Sequence, residues 1–448
     1  MHLFIGFILF TITFFFSSQC FAVKEYTLTN GIKVLIIEDS KSPLATFQIW
    51  YKVGSKDEPY GKTGISHLLE HMMFKGTSKY SSKEFSNIIQ KNGGVDNAFT
   101  TKDYTMYYQT LSSDRIHLSF ELESDRMTNL LLDSKEVESE RKVVMEERRM
   151  RYEDDPQNAL YEDLIASAFK VHSYRWPVIG WMSDIASISK DDLYKHYKSF
   201  YCPTNAFIII SGDVNAESIM PAIKEKFQKI PPCTSNSSDI KEKLTYQLPT
   251  EPEQKGQKRI YLKKEAQLPY ITMAYHLPSF PHEDSYALEV LSIILAGGKS
   301  SRLYQNIVYE KRLALNVYAE YYGLYRYPFL FFFGGTASPL SSIEDLEKGI
   351  YTEIEKISKE PPSLKEVQKA KNQIEASFVF AQDSNFSKGL YTGLFELSGS
   401  WKLLEKYLEG IRKVTPENVK SVANKYLIDD KKTVGVLVPI KNEAAQIK

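Results

Sequence analysis

The sequence predicts an α+β protein built from two homologous domains, and three observations carry that prediction. At 448 residues the chain exceeds one typical core, and about 150 residues per domain suggests two or three domains. Between Lys229 and Lys258 the composition turns to Pro, Ser, Thr, Lys and Glu with no apolar period, as in a linker or surface excursion. The two halves also end alike. Ile188–Tyr201 precedes the apolar strand pattern Ala206–Gly212, and Val414–Tyr426 precedes Thr433–Val438. In each, Ser or Thr caps a helix with an acid two to three residues on. A duplicated unit of about 200 residues accounts for this, and that size suits one domain. The expected division is a leader at 1–22, a first domain at 23–230, a linker at 231–258 and a second domain at 259–448.

Leu3–Phe16 is almost wholly apolar, and Ser17-Ser-Gln-Cys-Phe-Ala22 follows before the first charge at Lys24. This is the pattern of a secretory signal peptide cut after a small residue. The run is short for a spanning helix, which needs about 20 apolar residues. The expectation is therefore export to a periplasmic space, or membrane anchoring if the leader stays uncut. Gln19 before Cys20 does not suit lipoprotein processing. After cleavage two cysteines remain, Cys202 and Cys233. They can pair in an oxidising compartment, but two thiols do not describe a disulfide scaffold, and a bridge is not expected.

Past the leader, Gly31–Ile37 and Leu44–Val53 read as strands. The segment with His67 reads as a helix that Thr63 or Ser66 helps to start. Gly93-Gly94 breaks the chain before Val95–Thr101, and Thr105–Leu111 reads as a strand. Arg115–Asn129 and Ser134–Arg151 have the period of charged amphipathic helices. In the second half Pro269–His276 resembles the strand at Leu44–Val53, and Ser285–Leu295 reads as a helix.

Composition excludes little beyond disorder. Apolar residues make up 43% and charged residues 25%, as in ordinary globular proteins. Lys plus Arg equal Asp plus Glu at 56 each, so net charge gives no case for a nucleic-acid partner.

The chemistry concentrates in His67-Leu-Leu-Glu-His71. On a helix, His67 and His71 point from one face, four residues apart. Two imidazoles so placed can grip one zinc ion, and Glu70 can reach a water there without being a ligand. H-x-x-E-H inverts the commoner H-E-x-x-H order. A catalytic zinc normally has three protein ligands and an open position. Glu140–Arg148 offers carboxylates for the third: Glu140 and Glu147 share a helix face, whereas Glu146 is rotated about 100° away. His117, His172, His196 and His276 read as structural or surface residues.

Several segments together resemble one family. His67–Thr77, Asn97-Ala98, Glu140–Arg148 and His172–Gly180 are similar to the pitrilysin-type inverzincin peptidases. Insulin-degrading enzyme, the mitochondrial processing peptidase and shorter bacterial proteins belong to that family. The resemblance covers the mature chain, since Gly297–Leu303 is similar to the second-domain signature. It implies domains that are each a mostly antiparallel sheet packed with helices, and a zinc-dependent endopeptidase in which Glu70 is the general base for a zinc-activated water. It implies Glu147 as the third zinc ligand and Glu140 as the carboxylate holding a ligand histidine's other nitrogen. Asn97 and Ala98 fall where the family has an edge strand that an extended peptide substrate joins.

One departure bears on partners. Family members complete in one chain carry Arg and Tyr seven apart in the second half. Here Tyr309 and Asn316 occupy those places, while Arg312 and Tyr318 stand nearby in a different register. Some short bacterial relatives divide the work between a zinc-bearing subunit and a paralogue with the Arg-Tyr pair. The resemblance thus implies the zinc-bearing half of a heterodimer, with a homodimer as competitor. A leader-processing peptidase and a non-catalytic scaffold subunit are the rival functions.

Overall fold

A computed structural model describes residues 22–233 and 249–440. Most of the expected leader and the centre of the expected linker lie outside the described residues. The first half runs β1 (Val23–Thr27), β2 (Lys33–Glu38), β3 (Leu44–Tyr51), α1 (Ile65–Met72), α2 (Glu84–Lys91), β4 (Val95–Thr100), β5 (Thr105–Ser112), α3 (His117–Asn129), α4 (Ser134–Arg148), α5 (Pro156–Ala168), α6 (Met182–Ser187), α7 (Lys190–Phe200), β6 (Ala206–Gly212) and α8 (Ala216–Phe227). The second half runs β7 (Lys258–Glu265), β8 (Tyr270–Leu277), α9 (Ser285–Ala296), β9 (Ala314–Tyr321), β10 (Phe329–Ala337), α10 (Ile343–Lys359), α11 (Leu364–Ala381), α12 (Asn385–Leu397), α13 (Leu403–Lys413), α14 (Pro416–Tyr426) and β11 (Lys432–Ile440).

The two sheets share one plan. The first has the order β1-β2-β6-β3-β5-β4 and the second β7-β11-β8-β10-β9. In each, the last strand inserts between earlier ones, parallel to one neighbour and antiparallel to the other. All other pairings are antiparallel. Insertion explains the sequence of β6, Ala-Phe-Ile-Ile-Ile-Ser-Gly, which is buried at every position: a central strand covered on both faces needs apolar side chains pointing both ways. The fold is therefore α+β in two related domains.

One face of each sheet packs on its own domain's helices. Phe47, Ile49 and Tyr51 of β3 enter the core with Leu68, Leu69 and Met72 of α1. The opposite faces are covered by exchange. On the first sheet, Trp50, Met106, Phe207 and Ile209 pack with Leu397 and Trp401 from the second half. On the second, Ala274, Phe329, Leu330 and Phe332 pack with Leu164, Ile165 and Phe169 from the first. Thus α12 lies on the first sheet and α5 on the second.

Polar contacts fix this exchange. Gln48 Nε2 donates to the Phe386 carbonyl at 2.9 Å, and Ser211 Oγ donates to the Asn385 carbonyl at 2.6 Å. Lys388 pairs with Asp39. On the other side, Lys258 Nζ donates to the Ser167 and Ala168 carbonyls at 2.7 and 3.1 Å, meeting the negative end of α5. Close approach of α12 depends on Gly393, where a Cβ would come 2.4 Å from the Trp50 ring.

Three expectations need correction. Cys202 and Cys233 are joined, with Cα atoms 5.2 Å apart. Asn30 Nδ2 holds the Phe227 and Ile230 carbonyls at 2.8 and 2.9 Å, and Gly31 packs on Thr204. The β1–β2 turn therefore brings the end of α8 back to Cys202, which spacing alone does not reveal. The helix expected over Ser134–Arg151 is α-helical only to Arg148, and Arg149–Glu153 forms a π-helical turn. The cap of α14 is as expected, Thr415 accepting from Asn418 N with Glu417 in the first turn. Neither Thr63 nor Ser66 caps α1, as described below. Among the described residues no helix is long and apolar enough to cross a membrane.

The seating of α12 on Trp50 is testable. Gly393→Leu is expected to cost about 1–3 kcal/mol by overpacking. Urea unfolding followed by tryptophan fluorescence and by circular dichroism should shift to one lower midpoint. An unchanged midpoint would show that α12 does not rest there.

Candidate active site

The helix α1 starts at a crossing of two glycines. Gly64 has φ +87° and Gly180 has φ +88°, the left-handed region in which a Cβ is costly. A Cβ on Gly64 would meet the Ile179 carbonyl at 2.3 Å, and one on Gly180 would meet the Thr63 carbonyl at 2.3 Å. The first N–H groups of α1 are met by a carboxylate from outside the helix: Glu58 accepts from Gly64 N at 2.8 Å and Ser66 N at 2.9 Å. Burial pushes the Glu58 carboxyl up to about 8, against the pull of those donors. Thr63 instead bonds Asp184, and Ser66 Oγ contacts the Gly54 carbonyl and His196 Nε2.

One turn apart on α1, His67 and His71 bring their ring centroids to 4.8 Å. Glu147, from the end of α4, approaches both: its Oε2 is 3.7 Å from His67 Nε2 and 3.6 Å from His71 Nε2. One ligand atom from each of the three lies within 4.8 Å of the others. Glu140, two turns earlier on the same face, takes a different place. Its Oε2 is 3.1 Å from His71 Nδ1, and its Oε1 is 2.5 Å from Lys75 Nζ. A carboxylate can only accept there, so His71 carries its proton on Nδ1 and offers Nε2 to the Glu147 side. Glu146 pairs with Arg149 instead. The choice that helical spacing left open between Glu140 and Glu147 is thus resolved by position. Burial holds His67 at about 3, a neutral imidazole at physiological pH.

Glu70 stands next to this group. Thr100 Oγ1, at the end of β4, donates to its Oε2 at 2.5 Å. Burial, the largest influence, raises the Glu70 carboxyl above its ordinary value. Among the described residues β4 is the outer strand of its sheet and pairs only with β5. Asn97 is exposed there, and its Oδ1 accepts from Ala98 N at 2.9 Å; Ala98 is buried against the core that holds α1.

Three residues around the site were not singled out from sequence: Glu58, Thr100 and Arg148. Buried Arg148 grips both Glu162 oxygens at 2.8 and 2.9 Å and the Gly180 carbonyl at 2.8 Å. It ties α4 to α5 and to the glycine crossing. The other histidines stay apart from the group. His117 is exposed, His172 Nδ1 accepts from Tyr174 N, His196 sits behind α1 on Ser66, and His276 Nε2 contacts the Ala168 carbonyl. Tyr309 is exposed, and Asn316 bonds Thr336 on β10. Tyr318 is bonded to Tyr270 and Thr272.

Two copies of one sheet-and-helix unit, with a His-His-Glu group in the first, define the class of two-domain metallopeptidases. The comparisons carry this to a family. Residues 33–180 match the model described as insulinase, peptidase family M16, and residues 187–374 match the M16 inactive domain. The chain is 32% identical to a Helicobacter pylori zinc protease, PqqE, over 93% of each chain. It is 28% identical to an uncharacterized Bacillus subtilis zinc protease, YmxG, over 91% of this chain and 96% of that one. A crystal structure of a protease from Helicobacter pylori superposes with a TM-score of 0.87 at 31% identity, covering 94% of this chain and all of that one. This chain belongs to the M16, pitrilysin-type family of zinc-dependent peptidases.

His172 gives a pH prediction away from the metal group. Burial lowers it from the ordinary 6.5 to about 4. Below pH 6.5 the unfolded chain gains a proton that the folded chain refuses, so stability falls from there to about pH 4 and then levels. His172→Asn, which keeps an acceptor for Tyr174 N, should flatten that decline by about 2 kcal/mol in melts across the window. Equal slopes in variant and wild type would contradict the assignment.

Proposed function

We propose that this chain is an exported zinc endopeptidase acting on extended peptides or unfolded segments, and that it is the zinc-bearing member of a dimer. The convergence of His67, His71 and Glu147 within 4.8 Å, beside Glu70, carries this reading. The donor set suits zinc: two neutral imidazole nitrogens and one carboxylate oxygen leave a coordination position open. Glu140 and Lys75 orient His71, and Arg151 holds the other Glu147 oxygen at 2.8 Å. Zinc, when bound, supplies a Lewis acid that polarises the peptide carbonyl and makes water nucleophilic at neutral pH.

The remaining work belongs to the chain's own groups. Glu70, engaged by Thr100 through Oε2, has Oε1 to take the proton from the attacking water and return it to the leaving amine. Burial that raises its basicity suits this exchange. An extended substrate adds to β4 at Asn97 and Ala98 through backbone pairing, which gives affinity with little side-chain selectivity. Because Thr100 closes that strand, the same element positions peptide and base.

The Cys202–Cys233 bridge and the apolar leader support export, since disulfides persist in oxidising compartments. The absence of Arg and Tyr at 309 and 316 supports a partner subunit that supplies them, with a homodimer as the alternative arrangement.

Glu70→Gln is expected to keep wild-type zinc content and lose about 10²–10⁴-fold in kcat on an unstructured peptide. Full turnover would defeat the assignment of Glu70. Glu147→Gln should lose zinc by elemental analysis while remaining folded, and Glu140→Ala should weaken zinc about 10–100-fold in chelator competition. For the partner, the purified chain alone should be weakly active and regain activity with its co-purifying paralogue. Strong activity from the chain alone would favour the homodimer.

A further inference from the structure

A cavity of about 410 Å³ lies between the domains, apart from the His-His-Glu group. Its walls come from α9, α11, α12 and α13, from the loop after β9, and from the turn at Thr101–Tyr104. The size is that of small-molecule sites, which are mostly apolar with a few placed polar groups. Here the apolar part is an aromatic cluster. Phe395 and Tyr407 have centroids 5.6 Å apart, Phe378 and Tyr407 5.4 Å, and Phe378 and Tyr391 5.7 Å.

Two polar groups on α9 face this cluster. Glu289 receives the Tyr407 hydroxyl, and among the described residues its carboxyl has no cationic partner in the cavity, whose lining holds no Lys, Arg or His. Asp103, the other acid in the lining, is committed elsewhere, accepting the Tyr174 hydroxyl at 2.6 and 2.8 Å and Arg326 N at 3.0 Å. Ser285 Oγ lies buried beside the Tyr321 hydroxyl, which donates to the Pro278 carbonyl at 2.6 Å and keeps its oxygen free to accept from Ser285.

A carboxylate without a counter-charge, ringed by aromatic faces, is complementary to an ammonium group. The metal group, Glu70 and β4 make no use of these residues. We propose that the cavity binds a small organic cation with an apolar body, its charged head against Glu289 and its body among Phe378, Tyr391, Phe395 and Tyr407.

Burial pushes Glu289 up to about 7 in the cavity as it stands. The titratable groups facing it are Tyr321 at the end of β9, Tyr322 and Tyr325 from the loop after it, Tyr391 from α12, Tyr407 from α13, and Tyr104 and Asp103 from the first domain. Burial raises all six tyrosines, which stay neutral at pH 7. A permanent cation should therefore ionise Glu289 on binding.

The test is calorimetric titration of the full chain with benzyltrimethylammonium, and with benzyl alcohol as neutral control, at pH 7 in two buffers of different ionisation heat. Saturable one-to-one binding of the cation is expected, with release on the order of half a proton per ligand. Glu289→Gln, which keeps an acceptor for Tyr407, should weaken binding at least about tenfold, roughly the 1.4 kcal/mol of one decade. Leu394→Trp should block binding by filling the cavity, and melts check that both variants fold. Absence of saturable binding to the wild type at millimolar cation would overturn the proposal. So would equal affinity in folded Glu289→Gln, or equal binding of the neutral control.

Discussion

Each sheet has a face that its own domain leaves bare, and the need to bury it governs this molecule. An exposed apolar face as wide as that around Trp50 and Phe207, or around Phe329 and Phe332, would drive association with anything apolar. The chain meets the need by exchange, α12 on the first sheet and α5 on the second. The His-His-Glu group depends on the exchange. Glu162 of α5 grips Arg148, Arg148 holds the Gly180 carbonyl, and Gly180 seats the start of α1. The second sheet thus steadies the helix that carries Glu147 and the helix that carries the two histidines.

Within that frame, charges are assigned by small differences in reach. Glu140 and Glu147 share one face of α4, yet one meets a histidine nitrogen together with a lysine and the other meets two histidine nitrogens together with an arginine. Each acid is held on one oxygen by a cation from its own surroundings. Flexible carboxylates become fixed in this way, and what they offer the site is direction as much as charge.

The local patterns were legible because their physics is local. Alternation marked β3, β5 and β8, and a continuous apolar run marked β6. The histidine pair was readable because few residue types bind a metal and helical spacing brings the two together; spacing left Glu140 and Glu147 level, and only the family resemblance gave them separate places. Glu58, Thr100 and Arg148 were not readable: an acid, a threonine and an arginine at such places have many ordinary uses. Their role appears only when Gly64, Glu70 and Gly180 arrive beside them. The two exchanged helices also escaped notice. α12 contains Gly389 and Gly393, poor helix formers whose purpose is close packing on Gln48 and Trp50. The disulfide escaped because its cysteines meet through a turn at Asn30, far from both in sequence.

The insertion of β6 and β11 into the middle of their sheets sets an order in time. As the chain leaves the ribosome, β1 to β5 are synthesised well before the strand that joins β2 to β3, and the cover for that sheet lies near the far end of the chain. Contacts of such long range form slowly, and multidomain chains expose apolar surface until they do. The first sheet and its inner core can assemble once β6 is made, whereas the face around Trp50 and Phe207 stays bare until α12 follows. Completion of the first domain is thereby tied to the folding of the second.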